Sequence, residues 1–336
     1  MKINNRIDFV DNARGIAMLL VILGHCQLSS DCTIEKLIYS FHMPLFFFLS
    51  GMFATSSNRV GNVWEGVKKK AKRILIPQIA VCLLGIIQPL INFVVNKSPL
   101  DYMYTFSFFR WWFLPTLFLC STIFMLIDYK LDMNKLVNKL FLLFMSILFI
   151  PFSIKANVYC FTGTLLCLQI VPMAMFYYVL GNILCHYTIK ISEERTIMKS
   201  IVFISLASMT VVLANLNSTV MMYKNEYGNI FLFLCSSISG IASCLVFSMF
   251  VNKGKLLTFI GKHSIAFYVW QFIITAFFMK ITNYALSTLL NIQNNNIVAT
   301  MAFSLSLPIL YAVVVYTTKE MPYLYGLNRY GKRKSL

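Results

Sequence analysis

Apolar stretches long enough to cross a bilayer recur along the whole chain, and that recurrence restricts the possible folds more than any other feature. A hydrocarbon core of about 30 Å takes roughly 20 apolar residues per helix. On that measure ten segments qualify: 13–29, 37–54, 74–95, 111–127, 140–154, 161–185, 200–216, 230–251, 264–281 and 296–316. The fifth is short, with Pro151 near its end. Charged residues make up only 12% of the 336 positions, about half the share in a soluble domain. The expected fold is all-α: a polytopic transmembrane helical bundle of about ten spans. It forms one membrane domain over residues 1–336, with no soluble domain attached. A soluble enzyme, a disordered chain and a free nucleic-acid binder are excluded.

The basic balance, 29 Lys+Arg against 12 Asp+Glu, has a topological reading. With the N-terminus in the cytoplasm, every Lys and Arg falls in a cytoplasmic segment except Lys36, Lys97, Arg110, Lys155, Lys224 and Lys280. An asymmetry of that kind sets orientation. It puts both termini in the cytoplasm, makes the chain a multi-pass protein of the inner (plasma) membrane, and leaves no charge that calls for nucleic acid. The first segment has the basic start and apolar run of a signal peptide, but no small-x-small cleavage site follows. It reads as a retained first helix. The nine cysteines contain no CxxC pair and lie mostly in apolar runs, where Cys acts as a small hydrophobe rather than a metal ligand or disulfide half.

Ionisable residues inside a membrane span are costly, so each is a functional candidate. They concentrate in the first two spans: Asp11, Arg14 and His25, then His42. Arg14 and His25 are eleven residues apart, about 1100° of helix and roughly 16 Å of rise, which puts them on one face. Asp11 lies one turn before Arg14, close enough to pair with it. Each has a plainer explanation as well. Asp11 suits a helix N-terminus, and Arg14 suits an anchor that snorkels to the interface. His25 fits neither, and an imidazole at membrane depth is a natural proton carrier. His42 enters on the second span from the side that His25 approaches, so the two rings share a depth. Pro44 frees one carbonyl of that span, and Ser50-Gly51 permits close helix approach.

These residues carry a resemblance. Arg6-x-Asp8-x-x-Asp11-x-x-Arg14-Gly15 and Gly24-His25 are followed by the run from Phe41-His42-Met43-Pro44 to Leu49-Ser50-Gly51. Together they resemble the integral-membrane acyltransferase 3 family, which includes bacterial O-acetyltransferases of surface polysaccharides and the fucose 4-O-acetylase group. Arg14 and His25 fall on the basic residue and histidine of the family's first motif. Lys70-x-x-Arg73 matches a second, with Lys for its first Arg. Trp112-Phe113-Leu114 and Gly261-Lys262-His263-Ser264-x-x-x-Tyr268 match two later segments. After that Tyr the family usually continues to a His, where this chain has Gln271. The chain is similar to the stand-alone members, without a fused hydrolase-like domain.

The resemblance implies an acyl-coenzyme A donor, acetyl-CoA first among them and used as substrate rather than held as a cofactor. It implies a glycan or lipid-linked sugar as acceptor. Donor phosphates call for a cationic dock, and Lys68-Lys69-Lys70-Ala71-Lys72-Arg73 is the densest basic cluster. Within it Lys70 and Arg73 share a face and are assigned to donor binding, while lipid headgroups explain the other lysines equally well. Asp11, Arg14 and His25 are the catalytic candidates, with His25 as base or acyl carrier. His42, Ser50, Trp112, His263 and Tyr268 are candidates for the acceptor or the pocket. The aromatic run Tyr102, Tyr104, Phe106, Phe108, Phe109, Trp111, Trp112 could stack on sugar, although an interfacial belt accounts for most of it. The competing class is a glycan or lipid-linked-sugar exporter without acyl chemistry. Exporters often carry paired broken helices in two halves, whereas the polar residues here sit in the first quarter.

Overall fold

The computed structural model describes residues 8–26, 32–54, 62–86, 111–159, 168–251, 254–289, 291 and 294–327. Eleven α-helices follow one another in this part of the chain: α1 (Asp8–Gly24), α2 (Thr33–Met52), α3 (Val63–Gly85), α4 (Phe113–Lys130), α5 (Leu136–Tyr159), α6 (Val171–Ser192), α7 (Thr196–Leu216), α8 (Ile230–Phe250), α9 (Lys255–Lys262), α10 (Ser264–Tyr284) and α11 (Asn295–Glu320). No strand occurs among the described residues beyond the isolated bridge of Met221 with Glu226. The all-helical expectation holds.

Among the described residues seven helical segments are long and apolar enough to cross a membrane: Phe113–Lys130, Leu136–Ala156, Leu168–Ser192, Thr196–Leu216, Ile230–Phe250, Ser264–Leu289 and Asn295–Glu320. The three expected spans that open the chain correspond to α1, α2 and α3. Of these, α1 has 17 residues and α3 carries its basic cluster within the helix. Residues 27–29, 87–95 and 161–167 of the expected spans lie outside the described residues, as do Arg6, Lys97 and Tyr102 to Arg110.

Local chemistry explains four of the helix starts. Asn62, Asn229 and Asn294 cap α3, α8 and α11, each side-chain oxygen accepting a backbone N–H of the first turn. Such a bond satisfies a donor that the helix itself cannot. The Cys32 sulfur does the same for α2, accepting from the Glu35 N–H at 3.3 Å. Pro44, Pro77, Pro151 and Pro308 all lie inside helices. The expected end near Pro151 is therefore corrected, because α5 continues to Tyr159. Packed neighbours can satisfy the carbonyl that a membrane proline frees.

At the centre, α1 and α2 pack on each other and both on α8, with α10 also against α1. The α2–α6 contact is made by backbone. A Cβ on Gly51 would meet the Tyr178 carbonyl, and one on Gly181 would meet the Phe48 carbonyl. Only glycine lets two helix backbones touch in this reciprocal way. On the outside, α5 turns Phe141, Phe144, Phe149 and Phe152 outward, and α7 does the same with Ile197, Ile201, Ile204 and Val212. Apolar side chains so continuously exposed mark a surface that faces lipid.

Candidate active site

The site is built around the C-terminal end of α1. The helix stops at Gly24, and His25 follows in a turn, its N–H donating to the Val21 carbonyl at 3.0 Å. The expected first span of 13–29 is thus moved toward the N-terminus, and His25 sits on the helix end rather than within it. It is nonetheless deep in the bundle. Its ring packs on Phe272, near the middle of α10, at 4.6 Å between centroids. The Tyr39 hydroxyl donates to the Gly24 carbonyl at 3.3 Å, which fixes that turn to α2. His25 as a residue keeps exposed surface, while its ring packs within the bundle.

His42 lies one turn beyond Tyr39 on α2 and is buried, with the Tyr39 ring edge-on at 5.1 Å. It is within electrostatic reach of His25, as the shared depth of the two spans predicts. Its Nδ1 is 2.6 Å from the Ile38 carbonyl. A carbonyl only accepts, so Nδ1 carries the proton and Nε2 of the neutral ring keeps its lone pair. Trp112, Phe113 and Tyr268 close the neighbourhood. Phe113 touches Tyr268 at 5.6 Å and Phe47 at 5.4 Å, and Trp112 touches Phe47 at 6.2 Å. Trp111 also packs on Phe272, tilted, at 4.2 Å between centroids.

Asp11 and Arg14 occupy the other end of α1, roughly three turns from His25. They do pair, Arg14 Nη1 to Asp11 Oδ1 at 3.4 Å. Arg14 also donates from Nη2 to the Leu49 carbonyl at 3.4 Å and lies 5.7 Å from the Phe53 ring centroid. Leu49 belongs to the last turn of α2, whose carbonyls lack helical partners and favour a cation. The Arg14 side chain is a C-terminal cap on α2. Half-buried Ser50 follows that carbonyl, and the Asn182 amide donates to the Gly51 carbonyl at 3.2 Å. The stripe read along α1 is therefore two stations at its two ends, and Arg14 does not touch His25.

The remaining candidates sit apart from His25. Gly261 lies against the Asp11 carbonyl, Thr258 Oγ1 donates to Asn12 Oδ1 at 2.7 Å, and α9 is thereby seated along α1. The loop expected over 252–263 is in part this helix. His263 marks the α9–α10 corner and stacks on Phe259 at 4.5 Å, which places it at the Asp11 end. On α3, Lys70 lies half-buried on the face that holds Gly66, Ile74 and Gln78, whereas Arg73, Lys68, Lys69 and Lys72 are exposed. His186, expected in a loop, is an exposed residue of α6. Tyr39 and Phe272, which fix and cover His25, carry no signal in the sequence apart from their aromatic character.

Comparison with known proteins identifies the family. The family described as "Acyltransferase domain" (Acyl_transf_3) matches residues 7–315. Two curated relatives are Nodulation protein NolL of Mesorhizobium japonicum, 34% identical over 90 residues, and Nodulation protein NolL of Sinorhizobium fredii, 36% identical over 90 residues. Each match covers 24% of this chain and 24% or 25% of the relative, so the chain spans about a quarter of the length of these curated proteins. No solved structure matches. With its first motif at the two ends of α1 and the family match running through α10 into α11, the chain belongs to the integral-membrane acyltransferase 3 family.

Proposed function

We propose that the protein is a membrane O-acyltransferase that moves an acetyl group from acetyl-CoA to a hydroxyl of a cell-envelope polysaccharide or lipid-linked sugar. The observation that carries this reading is the placing of His25 at the end of α1, an exposed residue whose ring packs on Phe272 inside a helical bundle. A sugar hydroxyl attacks a thioester only if a base takes its proton as the bond forms. In the proposed reaction His25 takes that proton, and the hydroxyl oxygen bonds to the acyl carbon. The carbon–sulfur bond then breaks, and the departing thiolate recovers the proton from the imidazolium. Atoms and charge balance with the base regenerated.

The other residues hold the parts in place. Arg14, fixed to Asp11 and to the Leu49 carbonyl, ties the His25 helix to the His42 helix. Lys70 is the donor-phosphate contact that packing favours, with exposed Arg73 beside it. His42 lines the wall next to His25. The test is a complementation series in cells that lack the gene, reading envelope-glycan mass and membrane immunoblots. His25→Ala should abolish an acyl-sized mass increment at normal protein level, and His186→Ala should leave it unchanged. Full acylation by a well-expressed His25→Ala variant removes the mechanism. Loss of the glycan itself from the surface, with no acyl difference, would instead favour an exporter.

A further inference from the structure

A primary amide lies in the bundle interior with no bonding partner among the described residues. Gln271 is 0% exposed, and neither its Oε1 nor its Nε2 has a hydrogen-bond partner among the described residues. Protein interiors leave few polar groups in that state, and each calls for an explanation. Packing alone does not supply one, because methionine would fill similar space without burying an amide.

The position of Gln271 narrows its purpose. Tyr268, Gln271, Phe272 and Thr275 follow the i, i+3, i+4, i+7 spacing of one face of α10. In that row Tyr268 touches Phe113, and Phe272 touches both His25 and Trp111. The Thr275 hydroxyl donates to the Gln271 backbone carbonyl at 2.6 Å and leaves the side-chain amide as it is. Besides α1, α10 packs along α3, the helix that carries Lys70.

We infer that Gln271 holds the pantetheine arm of an acyl-coenzyme A donor by its amide groups, an inference that rests on the O-acyltransferase reading above. A primary amide offers an acceptor and a donor side by side, and satisfying both takes a ligand with a donor and an acceptor at short spacing. The β-alanine unit of the arm has an N–H at one end and a carbonyl at the other. A thioester carbonyl satisfies Nε2 alone; paired sugar hydroxyls satisfy both atoms as the arm does, and it is the packing of α10 along the Lys70 helix that favours the donor. The arm's last amide is two methylene groups from the sulfur. A residue next to the Phe272–His25 contact therefore stands where that amide passes when the thioester reaches His25.

The test compares the wild-type full chain with Gln271→Met, both reconstituted in lipid nanodiscs. Binding is measured for acetyl-CoA, for S-acetylpantetheine and for the adenosine bisphosphate half of coenzyme A alone. Loss of two neutral hydrogen bonds should weaken acetyl-CoA and S-acetylpantetheine by about ten-fold and leave the adenosine bisphosphate unchanged. The thermal midpoint of the ligand-free variant should rise, since the buried unsatisfied amide is gone. Unchanged S-acetylpantetheine affinity in a folded variant overturns the inference alone, and so does equal weakening of all three probes or a lowered midpoint. Wild-type protein that binds none of the probes overturns the inference and the acyltransferase reading together.

Discussion

Lys70 is the residue whose environment most changes what it can do. Burial pushes its ammonium down from 10.5 to about 8, whereas its neighbours in the basic cluster are exposed. As a phosphate contact it is charged below that value and neutral above it. Donor affinity should therefore fall between pH 7 and pH 9, and Lys70→Arg should flatten the profile because a guanidinium stays charged throughout. Titration of acetyl-CoA binding at several pH values checks this, and a wild-type profile as flat as that of the variant would remove Lys70 from the dock. Folding linkage runs the other way. The unfolded chain binds the proton more tightly, so this group's contribution to stability rises as pH climbs from about 8 toward 10.5. Lys70→Ala should cost more donor affinity than Arg73→Ala or Lys68→Ala. Spacing alone paired Lys70 with Arg73, but it could not tell which of the two the bundle covers. The Arg14–Asp11 pair was legible for the converse reason, that both partners lie on one turn of one helix. The contacts of Arg14 with Leu49 and of His25 with Phe272 join distant parts of the chain, and no local pattern encodes them.

Among the elements, hydropathy finds those that stand alone in lipid and passes over those that other helices carry. The seven segments that qualify as spans were all visible as long apolar runs. Eight-residue α9 was not, because it is too short to span and its charged ends resemble a loop. The fifth segment was read as 140–154, and the helix extends beyond it at both ends, from Leu136 to Tyr159, with Pro151 inside. Glycine was more informative. The close approach read from Ser50-Gly51 is made by Gly51 against α6, with Gly181 reciprocating. Gly51→Ala should destabilise the protein by about 1–3 kcal/mol through overpacking, and Gly24→Ala, with only side-chain neighbours at van der Waals distance, by much less. Thermal unfolding of both variants in the same detergent measures the difference, and equal midpoints would contradict the account of the α2–α6 contact.

For the molecule as a whole, orientation follows from where the cations fall. Reporter fusions at either terminus should signal cytoplasm, and one near Lys97 should signal the far side. An extracytoplasmic C-terminus would mean that an odd number of segments crosses. The C-terminal end of the described chain is itself well anchored. Tyr325 accepts the Trp270 indole N–H at 2.9 Å, shares a hydrogen bond of 2.6 Å with Thr317, and is followed by Gly326 against the Lys72 carbonyl. The last described turn thus rests on the helix that bears the proposed donor dock. The backbone contact between α2 and α6 bears on motion. A joint made of side chains can loosen as rotamers change, but one made of two peptide chains has nothing to rotate. These two helices shift as a single beam or stay still. The side of His25 that faces α10 is different: there Phe272, with Trp111 against it, covers the site by rings that can turn.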